Sequence, residues 1–259
     1  MFGDEITAVS NAAKEKNNLL NNNPGGYILA AILAGIFIGS GVLLAFTTGG
    51  LLTGNPFARL LMGCTFGIAL SLVVIAGGEL FTGNNFIITI GLVKKTISAG
   101  ACLKIWVVSY FGNMIGSVIL AVIFVWCGLA AGSIGEFISS AAAAKMSLSP
   151  LALISRGLLC NMLVCLAVWC GFRCKSEAAK LIMIFWCLLA FITTGYEHSI
   201  ANMTLLTVSL LSPAADAAVS LGGWVYNIAL VTVGNMIGGI VFVALPYSAI
   251  NYRNAGRAA

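Results

Sequence analysis

Six apolar runs dominate the chain, at about residues 26 to 49, 58 to 93, 101 to 131, 150 to 172, 180 to 211 and 221 to 249. Each is long enough to cross the roughly 30 Å of hydrocarbon in a bilayer. A chain that crosses that layer finds no water for its backbone N–H and C=O groups, which must be satisfied internally. Only 8% of the residues are charged, against about 25% in an average soluble domain. Thirteen basic and eight acidic side chains cannot keep a 259-residue globule wetted. The chain therefore reads as an all-α membrane protein with six membrane-crossing segments. A net charge of +5 without any basic stripe interleaved with aromatics excludes nucleic acid as a partner.

The cations fall near the ends of the runs and set an orientation. With the N-terminus in the cytoplasm, Lys14, Lys16, Lys94, Lys95, Lys104, Arg173, Lys175, Lys180, Arg253 and Arg257 collect on one side, leaving Arg59, Lys145 and Arg156 on the other. Both termini are then cytoplasmic. The early charges Asp4, Glu5, Lys14, Glu15 and Lys16 do not suit a cleaved secretory signal, so the first span is expected to be retained. Residues 1–25 are expected to form a cytoplasmic amphipathic segment, with Ile6, Val9 and Ala13 at helical spacing, lying against the membrane or the bundle; a plain solvated leader is the alternative. Residues 26–249 form a single transmembrane domain and 250–259 a cytoplasmic tail. The eight cysteines include no C-x-x-C and read as small apolar side chains.

The second and fifth runs are too long for one helix and carry polar interruptions at equivalent places. One reads Gly77-Gly78-Glu79-Leu80-Phe81-Thr82-Gly83-Asn84-Asn85, the other Gly195-Tyr196-Glu197-His198-Ser199-Ile200-Ala201-Asn202-Met203. Each has G-x-E with an asparagine five residues after the glutamate. The third and sixth runs share Gly112-Asn113-Met114-Ile115-Gly116 and Gly234-Asn235-Met236-Ile237-Gly238. The glutamates stand 118 residues apart and the asparagines 122, so two unrelated motifs recur in order at nearly one offset. That is an internal duplication, and three crossings per copy force the second copy to be inverted in the membrane.

A helix can be broken in hydrocarbon only where the break is buried in protein or lines a wet cavity, so paired breaks indicate a permeation path. A half-helix that starts at each break turns its N–H groups and positive dipole end toward the middle of the protein, which favours an anion. Glu79 and Glu197 read first as structural acceptors for the opened backbone and second as solute contacts. Asn113 and Asn235, with a donor and an acceptor each, can tie a neighbouring helix to each break, and the GxxxG pairs around them mean close packing. His198, the only histidine, can offer a proton or a charge to an anion that has lost its water. Without a second histidine it is not read as a metal ligand. Thr82 can bond His198 or the solute, or simply cap the following half-helix.

Taken together, the sequences around Glu79, around His198 and around Asn235 resemble those of the formate/nitrite transporter family, and within it the bacterial nitrite channel branch; hydrosulfide channels are near relatives. The likeness covers nearly the whole chain, including Met1-Phe2, Cys160-Asn161 and Leu163 to Trp169. It implies a homopentamer in the bacterial cytoplasmic membrane, each protomer with an aquaporin-like fold and its own pore, and no cofactor. It also implies residue roles. Leu80, Phe81, Phe66, Leu70 and Phe191 match the apolar constrictions on either side of a central chamber, although from the residues alone they read as core. Thr82, Asn161, His198 and Asn235 match the polar positions of that chamber. Lys145, otherwise an ordinary loop lysine, matches a vestibule lysine that attracts anions. Passage of nitrite is the function so implied, with hydrosulfide or formate as alternatives and His198 as proton donor to the anion.

Two other classes fit less well. A neutral-solute channel of the aquaporin type calls for Asn-Pro-Ala at each break, and the Asn-Pro pairs at Asn23 and Asn55 lie elsewhere. An intramembrane hydrolase would pair His198 with Ser40, Ser117 or Ser199, but no residue stands out to orient the base.

Overall fold

The computed structural model describes residues 2–255, and among these it is helical with no strands. Helix α1 spans Gly3–Asn22, α2 Pro24–Leu51, α3 Ala58–Phe66 and α4 Ile68–Leu72, the last running on through a π-helical turn at Val73–Gly77. Then follow α5 at Phe81–Val93, α6 at Ala99–Trp126, α7 at Gly132–Met146, α8 at Pro150–Arg173, α9 at Glu177–Thr194, α10 at Ser199–Leu211, α11 at Leu221–Gly239, a second π-helical turn at Ile240–Ala244 and α12 at Leu245–Ala255. Among the described residues, six helical stretches are long and apolar enough to cross a membrane: α2, 58–77, α6, α8, α9 and 221–250. The shorter apolar helices α5 and α10 complete the broken second and fifth segments.

Local chemistry starts the long helices. Asn23, Ser98, Ser149, Ser176 and Ser220 each accept a first-turn N–H, and Pro24 and Pro150 occupy the first helical position, where a missing N–H costs nothing. The third run does not end where the sequence suggested. Cys127 closes α6 and Gly128, at φ 74°, turns the chain, so residues 127 to 131 form a connection. The unpredicted helix α7 follows.

Helices pair the same way in both halves: α2 packs on α6 as α8 packs on α11, and α1 lies on α5 as α7 lies on α10. In the first long pair a Cβ at Gly116 would run into the Ile32 carbonyl, and in the second a Cβ at Gly238 would run into that of Leu158. These contacts bring backbones together, as small residues do between membrane helices. The two half-helices are the innermost elements, with Phe81 to Gly91 of α5 and Ser199 to Ser209 of α10 buried throughout. Leu29, Leu33, Ile119, Ile123, Ile182 and Trp186 are exposed on the outer helices, as a lipid-facing surface requires.

The amphipathic α1 lies against the bundle, burying Ile6, Val9, Ala13 and Leu20. Polar contacts fix it there: Ser10 with Thr96 at 3.0 Å, Lys104 to Asn21 at 3.0 Å and Arg173 to Glu5 at 3.7 Å. At the other end, the predicted boundary at 249/250 falls inside α12, and residues 256–259 of the expected tail lie outside the described residues.

Candidate functional site

Each break begins at a glycine that the backbone requires. Gly77 has φ 87° and Gly195 φ 80°, a left-handed conformation that a side chain would strain. The chain then runs extended to Leu80 and His198, immediately before α5 and α10. Its freed backbone groups are satisfied identically in the two halves. Glu79 N–H donates to the Ala30 carbonyl at 3.1 Å, and Glu197 N–H to that of Arg156 at 3.3 Å. Asn113 Oδ1 accepts from Phe81 N–H at 2.9 Å while its amide donates to the carbonyls of Ala31 and Glu79 at 2.7 and 2.9 Å. Asn235 accepts from Ser199 N–H at 2.9 Å and donates to Gly157 and Glu197 at 2.8 and 3.0 Å. Both asparagines therefore join one long helix, one break and one half-helix start.

The glutamates are each held by a lysine and an asparagine. Lys16 of α1 meets Glu79 at 2.6 Å, and Asn84 reaches the other carboxylate oxygen at 3.2 Å and the Tyr27 hydroxyl at 3.3 Å. Lys145 of α7 meets both oxygens of Glu197 at 2.8 and 2.7 Å, with Asn202 at 2.7 Å. Asn202 continues to Asn227 at 2.8 Å, whose amide returns to the Lys145 carbonyl at 3.0 Å. Lys145 is thus a helical residue whose charge is compensated by Glu197. Lys16, Asn84, Asn202, Tyr27 and Asn227 had no assigned role in the sequence, although the two asparagines five residues after the glutamates were visible as repeat markers.

Three cavities line up through the middle. One vestibule, of about 390 Å³, reaches from Lys145, Arg59 and Arg156 to Phe66, Phe191 and His198. The other, of about 420 Å³, reaches from Lys16 and Lys180 to Leu70 and Leu80. Between them lies a pocket lined by Ile38, Phe66, Leu70, Leu80, Phe191 and His198, with room for about one water. Phe66, Phe191 and His198 are shared with the first vestibule, Leu70 and Leu80 with the second. The small pocket is bounded toward the first vestibule by an aromatic pair, whose ring centroids are 5.2 Å apart, and toward the second by Leu70 and Leu80.

His198 lies beside the Phe66–Phe191 pair and lines both the first vestibule and the small pocket. Its Nδ1 accepts the Ala201 N–H at 3.1 Å, capping α10, and its Nε2 lies 3.0 Å from Thr82 Oγ1, at the start of α5 in the other half. The ring stacks on Phe191 with an interplanar angle of 14°. Neither nitrogen faces a serine. Of the four polar residues matched to the chamber, His198 alone lines the small pocket. Asn161 stands behind it, donating to the carbonyls of Thr82 and Asn235 at 3.3 and 2.7 Å and to Asn85 Oδ1 at 3.0 Å. Phe81, expected in a constriction, packs on Tyr110 with centroids 5.0 Å apart and lines none of the three cavities.

The sequence model described as Formate/nitrite transporter matches residues 4–249. The chain belongs to that family. Members of the formate/nitrite transporter family are membrane transporters, so the hydrolase reading is set aside, and the chain is a multi-pass membrane protein. It is 43% identical over 252 residues to the nitrite transporter NirC of Salmonella typhimurium, covering 95% of this chain and 91% of that protein. To NirC of Escherichia coli K12 it is 44% identical with the same coverage. A solved structure described as an FNT family ion channel superposes with a TM-score of 0.91 at 41% identity, covering 95% of this chain and 98% of the other. A pentameric formate channel with formate bound gives 0.78 at 31% identity, covering 88% and 97%.

Proposed function

We propose that this protein passes nitrite across the bacterial cytoplasmic membrane, as a homopentamer with one pore per protomer and both termini in the cytoplasm. The NirC relatives support nitrite, the pentameric neighbour supports the assembly, and the distribution of lysine and arginine supports the orientation. The observation that carries the reading is the position of His198 where the first vestibule meets a small central pocket otherwise lined by apolar side chains. A bare anion is costly to bring into such a pinch and its neutral conjugate acid far less so. The N-termini of α5 and α10 converge on the same pocket and lower the cost for negative charge. Phe66 and Phe191 form one gate, Leu70 and Leu80 the other; Thr82 supports His198, and Asn161 and Asn235 hold the wall behind them.

The hydrogen bonds also support a reading of the proton chemistry. With Nδ1 taken by the Ala201 N–H, a neutral ring carries its proton on Nε2 and directs it at Thr82 Oγ1, leaving the threonine hydroxyl hydrogen for the anion. Giving up a proton requires the doubly protonated ring, which must surrender its cap on α10, so transfer is favoured by acid. His198→Asn is the informative variant: asparagine caps helices well but does not titrate. Initial uptake of nitrite, formate and hydrosulfide into proteoliposomes is measured from pH 5 to 8. Nitrite is expected to move fastest, and H198N to flatten the acid stimulation while the protein stays assembled. An unchanged pH profile in H198N would remove the histidine from proton transfer; faster hydrosulfide would leave the pore and replace the substrate.

A further inference from the structure

The first vestibule holds two cations that the proposed mechanism leaves unused. Arg59, at the start of α3, and Arg156, on α8, both line it and both are exposed. They lie beside the second break. The Arg156 carbonyl accepts the Glu197 N–H, and a Cβ placed on Gly195 would sit 3.5 Å from Arg59 Nη1. None of the four ion pairs among the described residues includes either side chain. Lys145 in the same vestibule is neutralised by Glu197. At the opposite mouth Lys16 is paired with Glu79 and Lys180 with Glu177. The lining cations that remain uncompensated are therefore two guanidinium groups, both on the Lys145 side.

We infer that Arg59 and Arg156 form a capture site for bent two-oxygen anions at the mouth that leads to Phe66 and Phe191. The inference rests on the anion reading above and adds to it the residues that choose the anion at entry. Guanidinium is always charged and presents a rigid planar fork of N–H donors, which matches two oxygens carried on one atom. Nitrite and formate share that O–X–O edge. Hydrosulfide, with one heavy atom, accepts no paired hydrogen bonds and gains only from the charge. Clefts lined by one sign of charge also raise the local concentration of the opposite ion, in a manner that salt screens. The two contributions separate experimentally, because lysine keeps the charge and loses the fork.

The test uses the full chain in proteoliposomes and measures initial uptake against anion concentration, for nitrite and hydrosulfide, at low and high concentrations of an inert salt. R59Q/R156Q should raise the half-saturating nitrite concentration about threefold or more at low salt, exceeding any fall in maximal rate, and should reduce the dependence on salt. R59K/R156K should keep the salt dependence but lose preference for nitrite over hydrosulfide. An R59Q/R156Q protein with the wild-type half-saturation at low salt would overturn the capture site. An R59K/R156K protein with wild-type preference would overturn recognition through the fork. Wild-type protein that carries neither nitrite nor formate would instead sink the functional reading itself, so the two failures are distinct. R59Q and R156Q tested singly serve where the double variant does not assemble.

Discussion

Replacing Asn235 by alanine should be among the most destabilising losses of a single polar side chain. The residue is fully buried and makes three hydrogen bonds, all to backbone: from Ser199 N–H at 2.9 Å, and to the carbonyls of Gly157 and Glu197 at 2.8 and 3.0 Å. Alanine leaves one buried N–H and two buried carbonyls without these partners. Each orphaned group costs about 1–3 kcal/mol, and the carbonyls at the low end because a second lone pair can find partial compensation. The sum is about 3–5 kcal/mol. For a chain of this size, where about 1 kcal/mol moves the midpoint by roughly 2–4 °C, the melting temperature should fall on the order of 10 °C. Asn113→Ala should match it, because Asn113 makes the same three bonds in the other half. The assay is thermal unfolding of the detergent-purified protein by intrinsic fluorescence, with nitrite uptake on the same preparations. Asn235→Asp adds a control: it keeps the acceptor for Ser199 N–H but loses both donors and buries a charge, so it should be no better than alanine. A loss below about 1 kcal/mol in both alanine variants would refute the argument and reduce the asparagines to ordinary interhelical contacts.

Lys145→Ala should cost about 3 kcal/mol, at the lower end of the range for breaking a buried pair because Asn202 still holds Glu197, and Lys16→Ala less, since the Glu79 side chain is 11% exposed against 2% for Glu197; chemical denaturation of the two variants side by side checks the order. Gly238→Ala should separate α8 from α11 and abolish recovery of assembled protein, whereas Gly171→Ala, whose Cβ meets nothing within 4 Å, should purify normally; size exclusion distinguishes them. Phe191→Ala should open the aromatic pinch and admit larger carboxylates in uptake measurements, and unchanged selectivity together with lowered stability would make Phe191 a core residue only.

Much of the architecture was legible because membrane solvation leaves few choices. Apolar run length announced the crossings, and the recurring glutamates and asparagines announced the duplication and both breaks. What escaped has physical reasons. Leu80 and Phe81 are adjacent at the end of an extended stretch, where successive side chains point opposite ways; composition cannot choose which faces the pore, and the structure turns Leu80 inward and Phe81 to Tyr110. Lys16 lies 63 residues from Glu79, and nothing local marks the pair. Helix α7 is short and rich in serine and alanine, so it carries no span-length apolar signal, yet it brings Lys145 to Glu197. Arg59 and Arg156 were read as topology markers, and only the folded vestibule places them together without partners.

The two halves share their hydrogen bonding closely enough that their difference stands out at one seat. Glu79 and Glu197 are equivalent, and the next residues, Leu80 and His198, have similar extended backbones, with φ of −89° and −118°, and line the same small pocket. The inverted scaffold thus creates two matching seats on one small central pocket. In one half leucine takes the seat and leaves α5 without a side-chain cap; in the other histidine takes it and caps α10 through Nδ1. The free face of the imidazole then reaches Thr82 in the opposite half, so the polar centre of the pore is built from both repeats although only one supplies the titrating group. Two histidines in those seats would hold two protonatable rings together in low dielectric, each penalising the charge on the other, and two leucines would leave the pocket no titratable group. One of each sets an apolar side chain against one imidazole, the arrangement that the proposed transfer of a proton to a dehydrated anion calls for.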